Sequence, residues 1–302
     1  MQMKIGLGVG GRTMADAVSA ATDAEADGFA SVWYSNIFGL DAMTVCAVAG
    51  AATERIEVGT FVVPTYTRHP FAMAQQASST NDAAGGRFTL GIGLSHQIVI
   101  EGMLGLSFDK PAKHMDEYLA VLLPLLREGK VNHQGSLYKV GATLDRNGAG
   151  APSVLVAALG PKMLELTGAH ADGTGTWTTG VKTLADYIVP TITAAAEKAG
   201  RPAPRIVAAL PVCVTEDPDG ARELAAKQFS VYGTLPSYRA MLDREGAATP
   251  GDIALVGDED AVAAQVAQLA DAGVTEFGAS LYGSPDQVAR GRALLAELAA
   301  KG

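Results

Sequence analysis

Side chains that could bind a ligand or move a proton follow the ends of several short apolar runs in this 302-residue chain. The carboxyl ends of parallel barrel strands meet at one face, so such residues would collect there. His96 is the most informative, because it follows Gly91-x-Gly93 and could donate a proton or a hydrogen bond. A loop histidine satisfied by backbone groups would look the same in the sequence. The other positions are Ser35, Asn36, Tyr66, Ser95 and Trp177.

The best candidate anion site is the run Ala157-Ala158-Leu159-Gly160-Pro161-Lys162. Small residues lead into Gly160, and Pro161 suits the first position of a helix. The free N–H groups and the positive end of that helix favour a phosphate, and Lys162 can add charge. An ordinary strand-to-helix turn has the same composition, so both interpretations stay open on this pattern alone.

Motifs of other chemistries are missing from the sequence. It contains no H-E-x-x-H motif, no cysteine cluster and no paired carboxylates, so we expect no catalytic metal. No serine lies in a G-x-S-x-G elbow, which leaves covalent acyl chemistry without support. His69 precedes Pro70 and resembles a helix-start residue, and His114, His133 and His170 are expected at surface or packing positions. A cofactor must therefore bring the reactivity, while the protein supplies position and electrostatics.

Gly6, Gly8 and Gly11 spell a G-x-G-x-x-G pattern between a predicted strand and a predicted helix. A dinucleotide fingerprint also needs an acid at the end of the second strand, to hold a ribose hydroxyl. That strand ends Val-Trp-Tyr-Ser-Asn at residues 32–36, with no acid. We therefore interpret these glycines as making room in a barrel rather than as a nicotinamide site.

The elements that must position these residues alternate along the whole chain. Apolar runs without polar alternation predict eight buried strands, at 4–9, 31–34, 57–63, 88–92, 153–157, 173–176, 206–214 and 276–281. Helical patterns cover 13–27, 41–52, 70–84, 111–127, 161–169, 184–199, 221–245, 260–271 and 285–300. Eight strand–helix units predict an α/β fold of the (β/α)8 TIM-barrel type. A doubly wound open sheet is the alternative.

Two connections are longer than the others. Residues 130–151 are rich in glycine and polar residues and predict an excursion loop after strand four. The excursion between strands seven and eight holds two predicted helices, and its 233–250 segment is expected to shape the pocket. The length and the hydrophobic fraction of 48% favour a single domain over residues 1–302.

Bulk properties narrow the partners and the compartment. A net charge of −9 makes nucleic acid or an anionic membrane surface an unfavourable partner. Cys46 and Cys213 lie far apart, which predicts no disulfide framework and favours a reducing cytoplasm. The first residues reach glycine too early for a signal peptide, and no apolar run has the roughly 18 residues that a membrane span needs.

Three blocks of sequence carry a resemblance to a known family. They are Glu57-Val58-Gly59-Thr60 with the following Thr67-Arg68-His69-Pro70, the block Gly85-Gly86-Arg87-Phe88-Thr89-Leu90-Gly91-Ile92-Gly93, and the anion-site run with Ala171-Asp172-Gly173. On these blocks the chain resembles the bacterial luciferase-like monooxygenase superfamily, and in particular its actinobacterial F420-dependent oxidoreductases. Weaker agreement extends over nearly the whole chain.

The resemblance implies hydride transfer between the deazaflavin coenzyme F420 and a small organic substrate, with the chain acting as a reductase. It also implies a non-prolyl cis peptide at Phe61–Val62, in a bulge that supports the cofactor ring. FMN is the alternative cofactor, for a luciferase-like monooxygenase or a non-catalytic flavin-binding protein. The implied cofactor-binding residues are Ser35, Asn36, Phe61, Val62, Val63, Ser95, His96, Ala157, Ala158, Leu159, Gly160, Pro161 and Trp177.

One departure from the family pattern affects the chemistry. Relatives that act on sugar phosphates or alcohols often show Ser-Asp-His-Phe after strand two, where this chain has Ser35-Asn36-Ile37-Phe38. Neither Asn36 nor Ile37 can replace that acid and histidine. Reduction of an activated double bond or carbonyl is expected instead, with a proton from water, His96 or Tyr66. The resemblance further implies a homodimer, formed through the helices at 41–52 and 70–84.

Overall fold

Eight parallel strands form a closed ring in the computed structural model, which describes residues 3–145 and 148–301. We number them β1 to β8: Lys4–Val9, Ser31–Tyr34, Glu57–Thr60, Phe88–Gly93, Ser153–Val156, Gly173–Trp177, Arg205–Val214 and Glu276–Leu281. Each strand pairs with its neighbours in chain order, and β8 pairs with β1 to close the ring. The predicted (β/α)8 barrel is thus confirmed, and the open-sheet alternative is wrong.

Helices cover the outside of the ring, and several of them begin at the residues that the sequence signals predict. Thr13 and Asp16 form a capping box at the first helix, and proline occupies the first turn of several others. The α-helices are Met14–Ala26, Ala42–Ala51, Pro70–Ala83, Pro111–Glu128, Pro161–His170, Val181–Thr183, Val189–Lys198, Pro218–Gln228, Pro236–Glu245, Glu259–Asp271 and Pro285–Ala300. Shorter turns are π-helical at Ile98–Met103 and Leu184–Ile188, and 3-10 helical at Ser230–Gly233 and Pro250–Ile253.

The excursion after β4 is not the loop that its composition predicts. It contains an antiparallel hairpin of Lys130–Gln134 and Lys139–Thr143. The carboxylate of Glu117, on the preceding helix, accepts hydrogen bonds from the backbone N–H groups of Ser136, Leu137 and Tyr138 and so holds the turn. This tertiary contact supplies the organisation that the local pattern of glycines and polar residues does not reveal.

The excursion after β7 also differs from the prediction. The helix predicted over 221–245 is two helices, Pro218–Gln228 and Pro236–Glu245, with the 3-10 turn Ser230–Gly233 between them. Pro236 has no N–H to donate and its ring clashes with the preceding turn, so a helix restarts there. A short strand, Leu255–Gly257, then pairs with the end of β7.

Side chains from non-adjacent strands meet inside the ring, so it is a packed core rather than a pore. Trp33, Leu155 and Val207 are in contact although they come from β2, β5 and β7. Nearer the amino ends of the strands, Arg205 forms ion pairs of 2.9 Å and 2.8 Å with Glu57 and Glu276. This partly buried charged network has no counterpart among the sequence predictions.

The N-terminal glycines are explained by this packing. A Cβ atom on Gly6 would lie 2.0 Å from the Ser31 hydroxyl oxygen, and one on Gly11 would lie 2.5 Å from the backbone nitrogen of Ala17. Glycine at these two positions therefore allows close packing inside the barrel and against the first helix. Cys46 and Cys213 are buried and free. None of the helices within the described ranges is long and apolar enough to cross a membrane.

Candidate active site

The most irregular feature at the mouth of the barrel is a bulge directly after β3. Gly59 is level with Thr89 on β4, whereas Val63 is level with Ile92. From Gly59 to Val63 the chain advances four residues, while β4 advances three between the paired positions. The additional residue is that of a β-bulge. The Phe61–Val62 peptide bond within it is cis, as the resemblance implies.

Glycines on β4 make room for the bulge. The Thr60 hydroxyl donates to the Gly91 carbonyl (2.8 Å) and accepts from the Gly91 N–H (2.9 Å), which replaces the interrupted ladder. A Cβ atom on Gly91 would lie 2.0 Å from the Thr60 carbonyl oxygen, and one on Gly93 would lie 2.7 Å from Val62 Cγ2. The Gly-x-Gly pattern of β4 is therefore a requirement of the bulge beside it.

Phe61 turns its ring into the barrel, below the mouth. The ring lies 5.7 Å from Trp33, centroid to centroid, in an edge-to-face arrangement. Val63 is fully buried, whereas the side chain of Val62 is half-buried above Gly93. Phe61 thus forms part of the floor, and Val62 is the bulge residue nearest the opening.

The end of β4 presents His96 to the mouth. Ser95 before it has a positive φ of 59°, a conformation that redirects the chain. The His96 ring is half-buried against Tyr238, with centroids 5.5 Å apart. Burial lowers the pKa of His96, which favours the neutral imidazole.

A row of aromatic rings continues from Tyr238 across the mouth. Tyr238 contacts Tyr232 (5.2 Å), Tyr232 contacts Trp177 (5.7 Å), Trp177 contacts Phe229 (5.5 Å), and Phe229 contacts Tyr282 (5.9 Å). We call these five residues the aromatic row. It joins the excursion after β7 to the ends of β6 and β8, with His96 at one end.

Four members of the aromatic row, Phe229, Tyr232, Tyr238 and Tyr282, are not among the residues that the sequence predicted. For Phe229, Tyr232 and Tyr238 the available signal was their occurrence as aromatic residues in a stretch without charges, in a chain with only 6% aromatics. Trp177 was predicted as a cofactor-binding residue, and it lies at the end of β6. Its indole N–H has no hydrogen-bond partner within the described ranges.

The end of β5 holds the helix start that the sequence marks as an anion site. Gly160 is the N-cap of Pro161–His170, and no side chain caps this helix. A Cβ atom on Gly160 would meet nothing within 4 Å, so the space above it is open. Ala158 is buried, and its N–H donates to Thr174 (3.3 Å).

The neighbouring helix start, at Gly180 after β6, provides a comparison. There the carboxylate of Glu245 accepts from the N–H groups of Lys182 (3.1 Å) and Thr183 (2.7 Å). An internal anion therefore already occupies that positive helix end, while the one at Gly160 stays open. The amino-terminal ends of helices favour anions, so the open one is the better place for a phosphate of a ligand.

Tyr66 and His114 stack beside the bulge, with centroids 3.9 Å apart and planes inclined by 5°. His114 Nε2 lies 2.9 Å from the Thr65 hydroxyl, and burial lowers the pKa of His114 to about 4. Burial raises the pKa of Tyr66 to about 12, and its hydroxyl lacks a hydrogen-bond partner within residues 3–145 and 148–301. His114 was predicted at a surface or packing position, and it is a buried packing residue.

After β2 the polar groups are largely engaged in structure. The Asn36 side-chain oxygen accepts from the N–H of Ala42 (3.0 Å), which lies in the first turn of the next helix. Ser35 is exposed, and the apolar side chains of Ile37 and Phe38 are 61% and 73% exposed. This loop therefore offers an apolar surface and few free hydrogen-bonding groups.

The predicted site residues all lie at the carboxyl ends of β2 to β6. Gly93 links two of the groups, because a Cβ atom there would lie within 3.3 Å of both Val62 and Ala157. The bulge, the β4 end and the open helix start are thus adjacent parts of one mouth. Within the described ranges no group of three or more His, Cys, Asp or Glu side chains could hold a metal ion.

Comparisons with known proteins agree with this architecture. A family model described as luciferase-like monooxygenase matches residues 2–301. The chain is 30% identical over 293 residues to a 5,10-methylenetetrahydromethanopterin reductase of Methanolobus tindarius, covering 87% of this chain and 88% of the relative. It is 32% identical over 241 residues to an F420-dependent glucose-6-phosphate dehydrogenase of Beutenbergia cavernae, covering 78% and 66%.

A solved structure gives the same result for the fold. The coenzyme F420-dependent tetrahydromethanopterin reductase of Methanopyrus kandleri matches with a TM-score of 0.82 over 98% of each chain, at 23% identity. At that identity the match concerns the fold alone.

Proposed function

Since this chain belongs to the luciferase-like monooxygenase family, we propose that it is a coenzyme F420-dependent oxidoreductase that reduces a small organic substrate by hydride transfer. One observation carries the proposal: the bulge after β3 lies in the same barrel mouth as an uncapped, open helix start. The first can support a planar ring and the second can hold a phosphate. The F420-dependent relative favours the deazaflavin over FMN.

The residues of the mouth fit such a cofactor. Phe61, Val62 and the backbone of Val63 would support the ring, and Ser95 and His96 would lie near its edge. The phosphate would bind the N–H groups at the start of the helix after Gly160, where no side chain competes for them. When bound, the deazaflavin supplies the hydride, and the protein supplies position and exclusion of water.

Water, His96 or Tyr66 would supply the proton that the substrate takes up. The raised pKa of Tyr66 keeps its hydroxyl protonated, and this hydroxyl has no other acceptor among the described residues. Burial lowers the pKa of His96 and so favours its neutral imidazole, which can donate a hydrogen bond. Both groups can therefore hydrogen-bond a substrate oxygen without placing a charge beside it.

Reduction is favoured over alcohol oxidation by the loop after β2. Oxidation of an alcohol needs a base for its hydroxyl proton. The side chain of Asn36 is a neutral amide whose oxygen accepts a hydrogen bond from the N–H of Ala42, and Ile37 has no polar side-chain atom. This chain therefore differs in its chemistry from a dehydrogenase that uses a base at that loop.

A homodimer formed through Ala42–Ala51 and Pro70–Ala83 is part of the proposal. The first helix has no charged residue and the second has only Asp82. Their outer faces present small or uncharged side chains, among them Val48, Ala72 and Ser79. Such faces suit burial against a second copy. A single domain over residues 1–302 and a cytoplasmic location, the latter from cysteine usage, complete the proposal.

The test is a binding comparison of the two cofactors. Purified protein is titrated into oxidised F420 and, separately, into FMN, and quenching of cofactor fluorescence gives each dissociation constant. We expect F420 to bind more tightly. Binding of FMN without binding of F420 would overturn the proposal, and oxygen consumption with reduced FMN would then identify a monooxygenase. Tight F420 binding without turnover of any acceptor would instead indicate a carrier protein.

A further inference from the structure

The exposed apolar side chains of this protein are concentrated on the loops around the barrel mouth. Ile37 and Phe38 after β2, Ile98 and Met103 after β4, and Val231 after β7 are all more than half exposed. Contiguous exposed apolar surface at a cleft is typical of a binding site. Their shared location points to the kind of molecule that the mouth receives.

The two segments that would flank the substrate carry no charge of their own. Residues 35–40 after β2 and residues 229–238 in the excursion after β7 contain no charged side chain. Two arginines beside these segments have partners: Arg68 pairs with Asp41, and Arg239 donates to Asp243 and to the carbonyls of Ala247 and Ala248. Together with a net charge of −9, this arrangement disfavours an anionic substrate.

The two apolar surfaces face each other across the ring. In an eight-stranded barrel β2 is opposite β6, so the loop of Ile37 and Phe38 is opposite Trp177 and the aromatic row. Within the part of the chain that the structure describes, four buried polar groups near the mouth have no hydrogen-bond partner and all are neutral: the hydroxyls of Tyr66, Thr176 and Thr178 and the indole N–H of Trp177. Neutral donors suit a carbonyl oxygen.

We propose that the substrate is an uncharged, mainly apolar carbonyl compound, held between Ile37–Phe38 and the aromatic row; this rests on the proposed function. For a conjugated double bond, the β-carbon receives a hydride, with both electrons coming from the reduced deazaflavin. The α-carbon receives a proton, and the group that donates it takes up a proton from water. The cofactor is left oxidised. The carbonyl is retained, and no other reductant is needed.

A pair of probes that differ by one charge tests the substrate class. They are 4-phenyl-3-buten-2-one and its 4-carboxyphenyl analogue, which share the same enone. The dissociation constant of each for the F420-loaded protein is measured from the change that it causes in the cofactor spectrum. Initial rates with reduced F420 are a second readout. We expect the neutral enone to bind at least about tenfold more tightly.

Ile37→Lys is the informative variant, because Ile37 is exposed and its replacement does not disturb the core. It should narrow or reverse the preference for the neutral probe. Leu224→Lys is the matched control, since Leu224 is also exposed but lies on the outer helix Pro218–Gln228. The control should keep the wild-type preference and F420 affinity.

The outcomes separate this inference from the proposed function. Three outcomes with normal F420 binding overturn the substrate class alone. They are equal affinity for the two enones, binding of neither enone, and a preference in Ile37→Lys that equals that of the wild type. If Ile37→Lys dissociates the oligomer without a change in probe preference, the apolar surface of Ile37 and Phe38 contacts a second copy of the chain. That outcome would also overturn the substrate class. Absence of F420 binding in the wild-type protein overturns both proposals.

Discussion

The ring of Phe61 occupies the space that a side chain at Gly175 would need, since a Cβ atom there would lie 2.7 Å from Phe61 Cε2. The two residues belong to the bulge after β3 and to β6, on different sides of the barrel interior. A glycine on one strand thus allows the bulge on another to turn its aromatic ring inward. This contact connects the shape of the mouth to the packing below it.

Gly175→Ala should therefore weaken both the fold and the cofactor site. The added methyl group pushes against the Phe61 ring, and overpacking of this kind costs about 1 to 3 kcal/mol. We expect the F420 dissociation constant to rise about tenfold, because the bulge that supports the ring shifts. Denaturant unfolding and fluorescence quenching measure the two effects. Gly141→Ala, where a Cβ atom would meet nothing within 4 Å, is the control. An unchanged F420 affinity in Gly175→Ala would contradict the assigned role of the bulge.

Gly160→Asp should affect stability and cofactor binding in opposite directions. Its φ of −82° suits any residue, and an N-cap aspartate stabilises a helix by about a few tenths of a kcal/mol relative to glycine. The same carboxylate would repel a phosphate, so we expect F420 to bind at least about tenfold more weakly. Gly160→Ala controls for the added carbon. If Gly160→Asp binds F420 as tightly as wild type, the phosphate lies elsewhere.

Removal of the Tyr238 ring should raise the pKa of His96 towards 6.5. Burial lowers this pKa, the Tyr238 ring contacts the imidazole, and Tyr238→Ala would admit water beside it. Titration of the His96 ring protons by NMR measures the change. Tyr238→Phe keeps the ring and should keep the lowered pKa. A pKa that stays the same in Tyr238→Ala would mean that other neighbours bury His96.

Acid should destabilise the fold through His114. Its pKa is about 4 in the folded protein and 6.5 when free, so the unfolded chain binds more protons between these values. Stability is therefore fully present above pH 6.5 and falls as the pH drops towards 4, by about 2 kcal/mol near pH 5. Urea unfolding at several pH values measures this slope. His114→Gln should flatten it, whereas His170→Gln, at an exposed position, should leave it unchanged. Equal slopes in both variants would assign the acid sensitivity to other groups.

Val48→Glu should dissociate the proposed dimer. Val48 is exposed on the uncharged helix Ala42–Ala51, and a buried carboxylate without a partner opposes association. Light scattering after size exclusion gives the mass. Leu224→Glu places the same charge on an outer helix and should remain dimeric. A monomeric wild-type protein would refute the interface directly.

The order of the barrel could be read from the sequence because each of its signals is local. A strand buried on both faces is an unbroken apolar run, and helix starts are marked by residues such as Thr13 and Pro70. The glycine blocks and the helix start at Gly160 are also recognised within short stretches of sequence. They predicted that the site lies at the mouth of the barrel. Family resemblance added the Phe61–Val62 bond, which composition and spacing alone do not indicate.

The tertiary structure decided which distant residues meet. The contacts of His96 with Tyr238 and of Phe61 with Gly175 join residues more than 100 positions apart, and no local period encodes such pairs. The hairpin at 130–143 likewise depends on Glu117, on another element. Local propensity and pattern thus determined the elements and their order, whereas packing across the closed ring decided the shape and polarity of the site.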